Sequence, residues 1–184
     1  MMQISATLIN DLMVVETAPI VDSRGAFSRL YCENELQAVI GSRRILQINH
    51  SRTDIVGAVR GLHYQLSPHA EMKLVRCLKG RVWDIAIDLR HNSPTYLHWH
   101  AEELTPANAR MMVIPEGFAH GFQVLDPSSE LLYLQTAFYA PGAEGGLRHD
   151  DPRIAIRWPL TVTDLSQRDT THPLIEISFP GVVL

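Results

Sequence analysis

The chain has 184 residues, of which 46% are hydrophobic and 20% charged, as in a globular domain with a buried core. A net charge of −4 without blocks of like charge excludes a strongly basic nucleic acid-binding surface. Cys32 and Cys77 form no CxxC pair, residues 1–12 do not resemble a signal peptide, and polar residues interrupt every apolar run. We therefore expect one soluble, cytoplasmic domain over residues 1–184, with no nucleic acid or membrane partner.

Short runs rich in β-branched and aromatic residues, separated by Gly, Pro, Asn and Ser, predict β-strands along most of the chain. The clearest run covers residues 81–89, where alternate residues would face opposite sides of a sheet. In chain order, the other predicted strands cover residues 44–49, 73–78, 96–104, 109–114, 118–125 and 131–139. Many short strands at close intervals are typical of a β-sandwich or barrel.

Helices are predicted at only two places. Residues 33–40 form the better candidate, with Asn34 as a possible cap and Gly41 beyond the end. A second short helix is predicted at residues 165–169. Residues 126–129, with the sequence DPSS, are predicted to form a hairpin loop between two strands.

Three residues are candidates for a shared site. His63 lies in the segment RGLHYQ at 60–65, Lys73 begins a predicted strand, and His120 lies in PEGFAHG at 115–121. If the strands form a jelly roll and these side chains face inward, they would meet at the barrel mouth, where ligand pockets commonly form. A single histidine is more often structural, so the prediction depends on this convergence.

An ordered set of motifs resembles the dTDP-4-dehydrorhamnose 3,5-epimerase family over roughly residues 19–173. The motifs are QINHS at 47–51, RGLHYQ at 60–65, KLVRC at 73–77, DLR at 88–90, SPTY at 93–96, IPEGFAHGF at 114–122, Tyr133, YAP at 139–141, DP at 151–152 and WP at 158–159. The resemblance implies an all-β, cupin-type jelly-roll barrel with short flanking helices. It also implies a homodimer that epimerises a nucleotide-linked 4-keto sugar without a cofactor or metal.

The resemblance also implies roles for individual residues. His63 would be the catalytic base, with Asp169 orienting it as a carboxylate orients an imidazole. Lys73 would lie near the ketone oxygen, where negative charge develops, and Tyr133 would return a proton to the opposite face. The substrate-binding residues implied are Arg24, Phe27, Gln47, Asn49, Arg60, His120, Tyr139 and Glu144.

The chain departs from the family pattern at several positions. Arg29 stands where an acidic residue is usual, Glu71 replaces a glutamine, His149 replaces an aromatic residue, and Arg168 replaces the lysine before Asp169. These changes indicate a divergent branch and leave the nucleobase open.

Two interpretations other than a metal-free epimerase are open, a metal-dependent cupin and a cupin without catalytic activity. In a metal-dependent cupin, His120 would join His63, His69 and Glu71 around a transition metal, although Gln65 interrupts the expected His-x-His pair. The alternate histidines His98 and His100 are better explained by a solvated strand face. In the second alternative, the cupin binds a sugar nucleotide but does not catalyse a reaction.

Overall fold

The computed structural model describes residues 1–184, which form thirteen β-strands and two α-helices. The strands are β1 (Met2–Ala6), β2 (Met13–Thr17), β3 (Ile20–Asp22), β4 (Gly25–Phe27), β5 (Gln47–Thr53), β6 (Val59–Gln65), β7 (Lys73–Lys79), β8 (Val82–Asp88), β9 (Trp99–Leu104), β10 (Arg110–Ile114), β11 (Phe118–Val124), β12 (Ser129–Gln135) and β13 (Glu144–Gly146). The helices are α1 (Glu33–Ile40) and α2 (Gln167–Thr171), and a 3-10 turn covers Pro141–Ala143. None of the helices has the length and apolar character needed to cross a membrane.

The strands form two facing antiparallel sheets and a separate hairpin. Sheet A has the order β1-β2-β10-β7-β12-β5, sheet B has the order β13-β6-β11-β8-β9, and β3 pairs only with β4. From β5 to β13 the chain changes sheet at every step except β8 to β9. This alternation between two antiparallel sheets is the topology of a jelly roll, which confirms the predicted fold class.

Alternation along the strands creates three apolar layers. Val82 and Ala86 of β8 face the space between the sheets, whereas Ile85 and Ile87 face outward beneath the C-terminal segment. A third cluster packs α1 against the outer face of sheet A through Leu36 and Ile40. Because the interior and both outer faces are covered, the two sheets hold their relative position and can fix side chains at the barrel end.

The predicted strands are all present, with changed ends. The strand predicted at 44–49 is shifted to Gln47–Thr53. This strand is exposed at the sheet edge, and its polar residues give no apolar alternation from which its end could be predicted. The strand predicted at 131–139 ends at Gln135, where its neighbour β7 begins and pairing stops. The strand predicted at 96–104 begins only at Trp99, because the preceding residues turn around the buried carboxylate of Asp88.

Other predictions are corrected by the structure. Helix α1 has the predicted bounds, but Cys32 rather than Asn34 is its N-cap, without a side-chain hydrogen bond. The second helix begins two residues later than predicted, at Gln167. The DPSS segment is not a hairpin loop, because β11 belongs to sheet B and β12 to sheet A. Strands β1–β4, β6 and β13 were not predicted.

Candidate active site

A cavity of about 260 Å³ opens between the two sheets at one end of the barrel. Strands β5, β7 and β12 contribute one wall, and β6, β11 and β13 contribute the other. His63, Lys73 and His120 all line this cavity, so the predicted convergence of these three residues is confirmed. Tyr133 lines it as well, from the wall that faces His63.

His63 and Asp169 form an imidazole–carboxylate pair between β6 and α2. The distance from His63 Nε2 to Asp169 Oδ1 is 2.7 Å, and Asp169 is buried. Burial raises the pKa of Asp169, but the hydrogen bond from His63 and its charge outweigh this effect, leaving the pKa below its usual value. Asp169 is therefore an ionised acceptor at neutral pH, which places the proton of His63 on Nε2 and the lone pair on Nδ1.

The start of α2 fixes the carboxylate of Asp169. Ser166 is the N-cap of this helix, and its hydroxyl accepts a hydrogen bond of 3.1 Å from the Asp169 backbone N–H. The backbone N–H of Gly61 lies 3.4 Å from Asp169 Oδ2 on the other side. Asp169 is thus held by the N-cap of its own helix through the backbone and by β6 through the side chain.

The substitution Ser166→Ala tests this cap. We expect a loss of about 1 kcal/mol in the free energy of unfolding, because one backbone N–H loses its acceptor. Urea unfolding measures this, with Ser178→Ala as the matched control, since Ser178 bonds only to Glu176 two residues away. Equal midpoints for the two variants would contradict the assigned role of Ser166.

A β-bulge in β6 turns both Arg60 and His63 toward the cavity. In a regular strand, residues three apart face opposite sides. Here the pairing shifts between His120, opposite His63, and Phe122, opposite Arg60, so β6 contains one additional residue. Gly61 occupies the bulge with φ +123°, a backbone conformation that residues with a side chain rarely adopt.

The substitution Gly61→Ala should therefore destabilise the fold by roughly 3 kcal/mol, through backbone strain and overlap. Its Cβ would lie 2.5 Å from Gly121 Cα and 2.7 Å from the His120 carbonyl oxygen, both parts of the backbone. Thermal unfolding measures the effect. Gly142→Ala is the control, because no atom lies within 4 Å of a Cβ there. A melting temperature unchanged in both variants would show that the bulge tolerates a side chain.

Lys73 is buried rather than an exposed charge at a strand end. Its Nζ lies 2.9 Å from Glu71 Oε1 and 3.3 Å from the His63 carbonyl oxygen. Glu71 Oε2 accepts a hydrogen bond of 3.0 Å from Gln135 on the adjacent strand β12. These contacts hold an ammonium group inside the cavity, beside the candidate base.

His120 belongs to a second imidazole–carboxylate pair. Its Nε2 lies 2.8 Å from Oδ1 of Asp84, which is fully buried in the barrel interior. Burial raises the pKa of Asp84, and the charge and hydrogen bond of His120 oppose this change. Sequence reasoning missed Asp84, although an acidic residue at an inward position of the alternating segment 81–89 was an available signal.

Tyr133 lies on β12, across the cavity from β6. Its hydroxyl is 3.2 Å from Ser51 Oγ, and its ring contacts that of His120 edge to face, with centroids 6.2 Å apart. Burial raises the pKa of Tyr133 well above its ordinary value. The phenol therefore keeps its proton at neutral pH and can donate it.

Besides His120, five of the predicted substrate-binding residues lie at or beside the cavity. Tyr139 donates a hydrogen bond of 3.0 Å to Glu144, which also accepts one of 2.7 Å from Arg168. The side chains of Gln47 and Asn49 both bond to the amide oxygen of Gln135, at 3.1 and 2.5 Å. The residues concerned are Gln47, Asn49, Arg60, Tyr139 and Glu144, of which all but Gln47 line the cavity directly.

Arg24 and Phe27 are not brought to this cavity. Both lie on the exposed β3–β4 hairpin, where Arg24 pairs with Asp22 and Phe27 is 68% exposed. Arg29, just beyond the hairpin, forms an ion pair of 2.5 Å with Glu35. Substrate binding by Arg24 and Phe27 thus remains a prediction.

His69 lies exposed on a turn and does not line the cavity, unlike the other three residues of the metal-dependent alternative. Two residues that sequence reasoning did not place at the site do contact His63. Arg168 Nη2 lies 3.0 Å from His63 Nε2 and 3.2 Å from Nδ1, and the ring of His172 packs against His63. No periodic pattern pointed to His172.

Imidazole, ammonium and phenol side chains on facing walls of one cavity are suited to acid–base catalysis, and the class of protein is an enzyme on a cupin-type jelly roll. A family model described as dTDP-4-dehydrorhamnose 3,5-epimerase matches residues 6–176, and the chain belongs to this family. The Salmonella typhimurium protein of that name is 39% identical over 178 residues, covering 96% of this chain and 97% of that protein.

Two solved structures are also similar. An epimerase from Legionella pneumophila in complex with dTDP-4-keto-L-rhamnose has a TM-score of 0.89 and 38% identity, covering 95% of this chain and 93% of its own. A 3'-monoepimerase from Streptomyces bikiniensis in complex with dTDP-quinovose has a TM-score of 0.85 and 26% identity, covering 91% and 85% of the two chains. The same fold thus occurs with epimerisation described at one and at two carbons.

Proposed function

We propose that the chain epimerises a dTDP-linked 4-keto-6-deoxy sugar at the two carbons that flank the ketone. Family membership supports the reaction class, and the similar Legionella epimerase binds dTDP-4-keto-L-rhamnose. The observation that carries the mechanism is the position of His63 and Tyr133 on facing walls of one cavity. Inversion requires removal of a proton from one face of a carbon and its return to the other.

In the first step, His63 Nδ1 takes the proton from a carbon next to the ketone. The imidazolium that forms is stabilised by Asp169, 2.7 Å from Nε2. The electron pair of the C–H bond moves into an enolate, whose oxygen carries the negative charge. Lys73 and His120 stabilise this oxygen, since a charge held in a buried cavity acts more strongly than one in water.

In the second step, the phenol of Tyr133 donates its proton to the same carbon from the opposite face. Solvent then returns a proton to Tyr133 and removes one from His63, which restores both groups. Each step transfers only protons, so the proposed mechanism uses no redox or metal cofactor. General acid and base groups of this kind contribute about 10²–10⁴-fold each.

The substrate is proposed to extend from this centre along the polar side of the cavity. Arg60 is placed at the diphosphate, where a guanidinium suits paired phosphate oxygens, and Tyr139 offers a ring for base stacking. Gln47, Asn49 and Glu144 would bond to polar groups of the substrate. The Gln135 amide supports this role by holding both Gln47 and Asn49.

We also propose that the chain acts as a homodimer. The β3–β4 hairpin exposes Ile20, Val21 and Phe27, each by 68% or more, and β5 is a free sheet edge. A second copy would cover this surface, and Arg24 and Phe27 could contribute to a substrate site only through such a contact. Sedimentation analysis of the wild type and of Phe27→Ser tests this, because a monomeric wild type would contradict it.

We further propose that residues 1–184 form a single domain and that the protein is cytoplasmic. A single domain is supported by the interior apolar cluster that both sheets share. A cytoplasmic location is supported by two free cysteines, which suit a reducing compartment.

Product analysis tests the proposed reaction. The enzyme is incubated with dTDP-4-keto-6-deoxyglucose, the product is reduced with borohydride, and the configuration of the released sugars is determined. We expect inversion at both carbons next to the ketone. Inversion at only one would make the chain a monoepimerase, and recovery of unchanged substrate configuration would contradict the proposal for this nucleotide sugar.

A further inference from the structure

Behind the candidate base lies a group of three side chains of the types that bind transition metals. His63 on β6, Asp169 in α2 and His172 just beyond the end of α2 bring one potential ligand atom each within 4.8 Å of the others. The rings of His63 and His172 pack edge to face, with centroids 6.0 Å apart. Two imidazoles and one carboxylate from two different elements therefore meet at one point.

His172 has no evident structural role that uses its polar atoms. Its Nε2 is buried without any hydrogen-bond partner, which is uncommon because an unsatisfied buried polar group is costly. The ring lies directly against Gly146, where a Cβ would overlap it. A packing role alone would be filled as well by an apolar ring, so the nitrogen calls for a separate explanation.

The ligand set and its access suit a late first-row divalent metal. Imidazole nitrogen and carboxylate oxygen bind Zn²⁺ at about 2.0–2.2 Å, which places ligand atoms about 3.3–3.5 Å apart in a tetrahedral site. The potential ligand atoms lie up to 4.8 Å apart, and small rotations of the partly exposed rings of His63 and His172 can bring them to these shorter distances. His63 and Asp169 also line a second cavity of about 540 Å³, which gives an ion a path of entry.

One positive charge opposes binding. Arg168 Nη2 lies 3.0 Å from His63 Nε2, and its Nε lies 3.8 Å from Asp169 Oδ1. This side chain is half exposed, and Glu144, 2.7 Å from Nη1, holds it beside the histidine, so an ion must displace Nη2 from His63. Its charge should keep the affinity moderate and the binding reversible.

We propose that His63, Asp169 and His172 form an inhibitory metal site that takes up Zn²⁺ or a similar late first-row divalent ion. The ion would draw His63 toward Asp169 and His172, and it would replace the hydrogen bond between His63 and Asp169. Metal uptake and proton abstraction by His63 then exclude each other. This role lies outside the proposed epimerisation, and only its inhibitory consequence depends on that function.

Direct binding to the purified full-length protein tests the site without any activity measurement. Zn²⁺ is titrated by calorimetry, and Co²⁺ is followed by its visible absorption. The wild type should bind one ion per chain, and His172→Phe, which keeps a ring against Gly146, should weaken binding about tenfold or more. His172→Asn should give the same loss with a smaller side chain. Circular dichroism confirms that each variant is folded.

The matched control is His69→Phe, which replaces an exposed histidine outside the group and should leave the affinity unchanged. Zn²⁺ should also inhibit the wild type and the His69 variant, with the inhibition constant raised about tenfold in His172→Phe. The absence of binding below millimolar Zn²⁺, equal affinity in the wild type and both His172 variants, or an equal loss in His69→Phe would each overturn the proposal. Inactive protein that still binds Zn²⁺ through His172 would contradict the proposed function but not the metal site.

Discussion

His63→Ala should lower proton exchange at the carbons next to the ketone by about 10³-fold or more, while the protein remains folded. The side chain lies at the cavity wall, 25% exposed, so its loss leaves the apolar clusters intact. Exchange is measured by NMR of the substrate in D₂O. The variant should still bind the nucleotide sugar, since Arg60 and Tyr139 are unchanged.

Asp169→Asn tests the pair in a second way, with nearly the same shape. The amide would donate a hydrogen bond to His63 Nε2, which would move the imidazole proton to Nδ1 and block the proposed base. We expect a loss of about 10²–10⁴-fold in exchange with little change in substrate affinity. Wild-type exchange in either variant would contradict the assignment of His63 as the catalytic base and of Asp169 as the carboxylate that orients it.

Tyr133→Phe should separate proton exchange from inversion. His63 can still remove a proton and return it to the same face, so deuterium continues to enter from solvent. Delivery to the opposite face loses its donor, and formation of the inverted product should fall by about 10²-fold or more. Both quantities are obtained from one NMR time course, as the deuterium content and the configuration of the sugar.

Tyr96→Phe is the matched control, because the Tyr96 hydroxyl bonds to the Phe179 carbonyl oxygen outside the cavity. Its rates of exchange and inversion should stay close to those of the wild type. If Tyr133→Phe loses exchange and inversion equally, the phenol is not a separate acid for the second step.

The strand pattern predicted a β-sandwich or barrel because most strands carry β-branched and aromatic residues between turn residues, and the jelly roll itself was implied by the family resemblance. The strand pattern did not reveal β6, since its RGLHYQ motif combines a glycine bulge with charged and polar residues that face the cavity. The short hairpin strands β3 and β4 were also missed, because three exposed residues each leave no alternating pattern.

The candidate site was predictable to different degrees. The meeting of His63, Lys73 and His120 was predicted on the condition that all three side chains face into a jelly roll, and the structure confirms that they line one cavity. The roles of Tyr133 and Asp169 came only from the family resemblance, because residues so far apart in sequence share no local pattern with His63. Contacts made by side chains of a short helix, such as Arg168 and His172 on His63, depend on how α2 docks and need the structure.

Proton transfer by His63 is tested most simply by deuterium incorporation in D₂O, with metal-free enzyme, dTDP-4-keto-6-deoxyglucose as substrate and His63→Ala beside the wild type. We expect exchange at both carbons that flank the ketone in the wild type and none above background in the variant. No exchange in the wild type, or equal exchange in both proteins, would contradict proton transfer by His63 on this substrate.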